Sequence, residues 1–227
     1  MHIPIGSISK AAIASYSWLR NTLGLGITKY PQYLRHSDEP FNDLFLFELC
    51  AFLNAAFLAG YKPYDVNRLK AWLGVAPDLY VVVLDKLLAS TSPLIPRIVG
   101  TYKLVPLGSS ATERALNGSI EIIDIKASEM TAGLDSASGI WIGDLSVVSP
   151  LRSTSSGQLG RHLMESIRQE LRRYKGKVPI FCRSERRDIQ AFLLRLGFHP
   201  LLKGEITGKT VWVLPTSTQR EWLTKAA

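Results

Sequence analysis

Residues 139–164 read GIWIGDLSVVSPLRSTSSGQLGRHLM, and a change of rhythm inside that stretch decides the fold. The first ten residues are apolar and rich in β-branched side chains, as a buried strand is, and Pro150 ends them. A Ser/Gly loop follows. From there Leu159, Leu163, Met164, Ile167, Leu171 and Tyr174 recur at helical spacing, with Arg161, Arg168, Glu170, Arg172 and Arg173 on the other faces. The spacing predicts a helix that starts near Gly160 and closes at Gly176. The first turn of a helix carries unpaired backbone N–H groups and a partial positive charge, so such a junction can hold a phosphate. Gly157 and Gly160 let the backbone approach a diphosphate closely, because no Cβ intervenes. Arg152 and Arg161 can add charge at its edge. His162, in the same turn, faces a phosphate or solvent, and solvent is the favoured reading. Gly and Ser ahead of a helix are also ordinary loop and capping residues, so this junction alone is not specific.

The pattern outward from it is equally readable. Downstream, KVPIFC (177–182) is a buried strand, a helix runs over 185–196 to Gly197, and LLKGEITGKTVWVLP (201–215) reads as a closing hairpin. Upstream, LYVVVLD (79–85) and RIVGTYKLV (97–105) read as strands, and SIEIIDIKA (119–127) alternates as a third strand would. Asn42 or Asp43 can cap a helix running to Ala59, with Gly60 as its stop; a shorter helix follows over 65–73. Residues 1–40 carry no decisive pattern. A strand–helix–strand unit demands a right-handed crossover and a parallel pair, whereas the preceding hairpins demand antiparallel pairs. The expected fold class is therefore α/β (α+β): a mixed, mainly antiparallel twisted sheet with helices on both faces and extra N-terminal helices. The expected organisation is a single domain over 1–227, with a helical N-terminal part (1–77) and a ligand-binding sheet core (78–215).

Composition narrows the classes. The chain has 227 residues, 46% hydrophobic and 20% charged, which suits a packed globular chain and excludes wholesale disorder. A net charge of +8 favours anionic partners without choosing among nucleic acid, anionic lipid, an acyl carrier protein and a phosphorylated cofactor. Cys50 and Cys182 lie in apolar stretches outside any metal-ligand spacing and read as buried, reduced thiols. His2, His36, His162 and His199 form no cluster, so no metal is expected. The N-terminus makes a poor signal peptide. LFLFELCAFLNAAFLA (44–59) contains Glu48 and Asn54 and falls short of the roughly 20 apolar residues a membrane span needs, so a cytoplasmic location is expected.

The order of elements resembles the GNAT superfamily of acyl-CoA-dependent acyltransferases. In that family a strand reading L-x-V-x-P precedes an R/Q-x-x-G-x-G/A loop and a helix, and a later helix ends in L-G-F. Here SVVSP (146–150) matches the strand end except at its leading Leu, SSGQLG (155–160) occupies the loop, and Leu196, Gly197 and Phe198 supply L-G-F. The match covers about residues 79–200. Gln158 replaces the loop's first glycine and Ser155 its basic residue. Leu193 stands where the family often has an acid tyrosine, four residues before the glycine of L-G-F.

The resemblance implies an N-acyltransferase that moves an acetyl or longer acyl group from an acetyl-CoA or acyl-CoA donor to a small-molecule or peptide amine. The backbone amides of Gly157, Gln158, Leu159, Gly160, Arg161 and His162, with Arg152, would cradle the diphosphate. A backbone N–H at Val147 or Val148 would donate to the developing oxyanion. Asp144, a carboxylate inside an apolar strand, is the first candidate base, and Glu121 and Asp124 are weaker ones. Tyr102 or Tyr174 would protonate the thiolate. VGTYKLVP (99–106) also resembles the branch that takes acyl chains from acyl carrier protein, as in acyl-homoserine-lactone synthases and ornithine lipid acyltransferases. The remaining alternatives are a non-catalytic module of this fold and a nucleic-acid-binding protein. The last is disfavoured, because no known nucleic-acid-binding motif accompanies the basic cluster from Arg161 to Arg187.

Overall fold

A computed structural model describes residues 32–56, 63–84, 98–147, 156–174, 177–184, 187–201 and 210–216, with backbone alone at 32, 156–159, 161 and 188. Its elements in chain order are β1 (Gln32–Arg35), α1 (Asp43–Ala56), α2 (Val66–Val75), β2 (Tyr80–Leu84), β3 (Ile98–Leu107), α3 (Ser109–Leu116), β4 (Gly139–Val147), α4 (Ser156–Arg172), β5 (Ile180–Arg183), α5 (Arg187–Arg195), β6 (His199–Pro200) and β7 (Val211–Leu214). Three 3-10 turns lie between α3 and β4. The strands form one mainly antiparallel seven-stranded sheet in the order β1-β2-β3-β4-β5-β7-β6. β1 runs antiparallel to β2, with Gln32 opposite Leu84 and Arg35 opposite Val81. β4 and β5 are the parallel pair, Ile140 opposite Ile180 and Ile142 opposite Cys182, as the intervening crossover helix requires. β7 lies antiparallel to both β5 and β6.

The chain falls into two compact units. The first comprises residues 1–73, 80–102 and 144–166, and the second 74–79, 103–143 and 167–227. In the first, β2 is buried along all five residues, and α1 turns Phe45, Leu46, Leu49, Cys50, Phe52 and Leu53 inward. Asn42, not Asp43, caps α1: its Oδ1 accepts the Phe45 N–H at 2.9 Å, and Asp65 does the same for Arg68 at α2. In the second, Trp141 stacks on Phe181 across the parallel pair, with ring centroids 6.0 Å apart. Gly197 ends α5 at φ +88°, where the N–H of Phe198 reaches back to the Leu193 carbonyl at 3.0 Å. Only glycine adopts that left-handed turn without cost, which is the physical content of the L-G-F signature.

Three expectations change, and one helix is new. Residues 119–127 are not a strand but pass through 3-10 turns at Ile122–Asp124 and Ala127–Glu129. Both flanks of β3 are taken by β2 and β4, so this segment has no ladder to join; it packs Ile120, Ile123 and Ile125 inward instead. The N-terminal part is not wholly helical, since Gln32–Arg35 pairs with β2. Ser109–Leu116, a stretch with no clear pattern, is helix α3, burying Ala111, Thr112 and Ala115. Finally, α4 begins at Ser156, four residues ahead of Gly160. Residues 57–60, the end expected for α1, and most of the expected closing hairpin lie outside the described residues.

Candidate active site

The site in the first unit is built around a break in β4. Asp144 has φ +51°, the one non-glycine residue with positive φ among those described. A left-handed residue inside a strand costs about 1 kcal/mol, and Asp tolerates it better than most. Two phenols converge on its carboxylate. The Tyr64 hydroxyl donates to Oδ1 and the Tyr80 hydroxyl to Oδ2, each at 2.7 Å. Tyr80 belongs to β2 and is fully buried; Tyr64 precedes α2 and is 7% exposed. Burial, followed by the charge of Asp144, pushes both phenols well above their ordinary pKa, so each stays a proton-bearing donor at neutral pH.

Tyr64 is itself held from α1. The Asn54 side chain takes the Tyr64 N–H on its Oδ1 at 2.8 Å and gives its Nδ2–H to the Tyr64 carbonyl at 3.0 Å. The Trp72 ring meets the Tyr64 ring edge-on, centroids 6.2 Å apart. Three elements therefore orient one carboxylate: α1 through Asn54, the segment ahead of α2 through Tyr64, and β2 through Tyr80.

The other sequence-derived candidates fall in different places. Tyr102 is fully buried on β3 and shares a 2.8 Å hydrogen bond with Ser166 of α4, in which either hydroxyl can be the donor. Glu121 lies in the second unit and forms an ion pair with Arg183 at 3.1 Å. Asp124 is exposed, and Tyr174 lies close enough to Asp135 for burial and that carboxylate to raise its phenol. Val147 ends β4, whereas Val148 and Arg152 lie outside the described residues. With α4 starting at Ser156, its free N–H groups are those ahead of Leu159; Gly160, Arg161 and His162 sit inside the helix, their amides engaged in its own ladder. An added Cβ at Gly160 would meet nothing within 4 Å, so the backbone there is open to approach. The His162 side chain is exposed. Leu193 is 3% exposed and packs in the core, so that position supplies no proton.

The structure adds Tyr64, Tyr80 and Asn54 to the site. The available signal was Tyr80 itself: a tyrosine in an otherwise aliphatic buried strand needs a partner for its hydroxyl. Among the described residues no helix is long and apolar enough to cross a membrane, and no group of three metal-ligating side chains gathers. Arg168 and Arg172 of α4, and Arg173 just after it, are exposed, whereas Leu163, Ile167 and Leu171 of the helix are buried.

No family model and no curated protein matches the chain. Among solved structures, the loading GNATL domain of CurA from Lyngbya majuscula superposes with a TM-score of 0.54 at 11% identity, over 82% of this chain and 98% of that one. An acyl-CoA N-acyltransferase from Pseudomonas aeruginosa gives 0.47 at 14% identity, over 81% and 97%. An acetyltransferase of the GNAT family from Staphylococcus aureus Mu50 gives 0.47 at 12%, over 81% and 98%. At such identities the likeness concerns fold, and the first overlay carries it. The chain has a GNAT-like fold.

Proposed function

We propose that the chain is an N-acyltransferase that transfers an acyl group from a CoA thioester to an amine. The observation that carries this reading is the Asp144 carboxylate, held by two phenols at a break in the fourth strand of a GNAT fold. The donor supplies an activated acyl carbon and a thiolate leaving group. In the step, a C–N bond forms to the acyl carbon, the C–S bond breaks, and its electron pair leaves on sulfur. The amine's proton passes to Asp144, directly or through one water, and a proton returned by Asp144 or taken from solvent converts the thiolate to the free thiol. A positioned base of this kind contributes about 10²–10⁴ in rate. A β4 amide near Val147 would donate to the carbonyl oxygen as charge develops on it. The free N–H groups at the start of α4 suit a diphosphate, and the open face at Gly160 leaves room beside it.

The test has two arms. A thermal-shift titration with acetyl-, octanoyl- and palmitoyl-CoA should raise stability by about 2.7 kcal/mol at a hundredfold excess over Kd. A free-thiol assay over pooled amines should then show turnover that Asp144→Asn lowers by about 10² or more, with thioester affinity kept. Absence of both responses across all three donors overturns the reading. Equal rates for wild type and Asp144→Asn remove Asp144 from the chemistry.

A further inference from the structure

We infer that Tyr64 and Tyr80 are positioning residues that act on acyl transfer solely through Asp144, with Asn54 holding Tyr64 in place. This rests on the acyltransferase reading of the site. A carboxylate on a short side chain has two torsions to fix, and its two oxygens here are met by donors from separate elements, at 2.7 Å each. Both phenols are buried, and Tyr64 is clamped by both of its backbone polar groups, so neither ring can follow the carboxylate if it swings. Phenols needing only satisfaction could donate to a main-chain carbonyl, as Thr101 does to that of Val81 at 3.0 Å. Instead both converge on the residue at φ +51°, where the strand departs from regular pleating. Fixing the side chain fixes the kink as well, and with it the direction of the β4 amides that follow. The phenols do not exchange protons with substrate; they set where the carboxylate and those amides point.

A double-mutant cycle read on turnover tests this. Tyr80→Phe and Tyr64→Phe each remove one hydroxyl and keep the ring, so both are expected to fold. Each should lower kcat about ten- to a hundredfold, the scale of a charge-assisted hydrogen bond or a small misplacement, with the KM for the acyl-CoA unchanged. In the Asp144→Asn background the same substitutions should cost less than about twofold more, because their route of action is gone. Additive losses, a risen KM with unchanged kcat, or full activity in both Phe variants would each overturn the inference. A wild-type protein that turns over no thioester would instead refute the acyltransferase reading, and this inference with it.

Discussion

Gly139→Ala probes the start of the strand that carries the site, and its cost can be worked from three distances. A Cβ at residue 139 would lie 2.8 Å from Thr112 Cγ2, 2.8 Å from Thr112 Oγ1 and 2.9 Å from Phe181 Cε2. Real contacts to a Cβ are longer by half an ångström or more, so something must yield. Thr112 is poorly placed to do so: it presents both γ atoms to the intruder, and its Oγ1 donates to the Gly108 carbonyl at 2.9 Å. Rotating χ1 swaps one γ atom for the other and surrenders that bond. Phe181 is fully buried and stacked on Trp141. Overpacking of this kind costs about 1–3 kcal/mol, and a lost hydrogen bond about 1 more. Against this, Ala restricts the unfolded chain by about 0.4–1 kcal/mol relative to Gly. The net expectation is a loss of about 2 kcal/mol, or about 4–8 °C in Tm for a chain of this size. Calorimetry and urea melts measure it. A variant as stable as the wild type would mean that the 108–112 turn relaxes freely, and the packing argument would be wrong.

Two further outcomes follow from other positions. Gly160→Ala should stabilise α4 by about 0.8–1 kcal/mol, because nothing lies within 4 Å of the added Cβ; Gly160→Asp should fold equally well yet weaken acyl-CoA binding about two- to fivefold through its charge, and equal affinity of the two variants by calorimetric titration would place the diphosphate elsewhere. Burial raises the Cys182 thiol from 9.0 to about 12 in the folded chain, so its contribution to stability is complete below pH 9 and is lost between pH 9 and 12; the loss is on the order of 1 kcal/mol by pH 10. Urea melts at pH 7 and 10 should therefore show a smaller alkaline loss in Cys182→Ala, and an unchanged difference would refute the assignment.

Much of the fold was legible because the decisive segments change period sharply. The run from β4 through α4 to β5 passes from apolar run to helical repeat to apolar run, and the parallel direction of β4 and β5 follows from the helical crossover that joins them. The start of α4 was missed because Ser156, Gly157 and Gln158 carry no apolar periodicity, only the composition of a loop. Residues 119–127 misled for the opposite reason: alternation marks one wet and one dry side, and an extended wall of 3-10 turns has those as well as a strand does. The site was half legible. Asp144 declared itself as a charge in apolar surroundings. Its partners are 80 and 64 residues distant in sequence, and nothing local to Tyr64 or Tyr80 says which carboxylate they will meet. Such pairings are set by how β2 and the segment before α2 pack, which a single sequence does not encode in any short window.

The Asn54 amide imitates a neighbouring strand for one residue, offering Tyr64 both an acceptor and a donor across a ten-residue separation. Pinned to the last turn of α1 by both of its backbone polar groups, Tyr64 takes the aim of its phenol from that helix end. A carboxylate in the sheet is thereby registered to a helix end ten residues upstream of the phenol, and a shift of that end reaches Asp144 through one side chain.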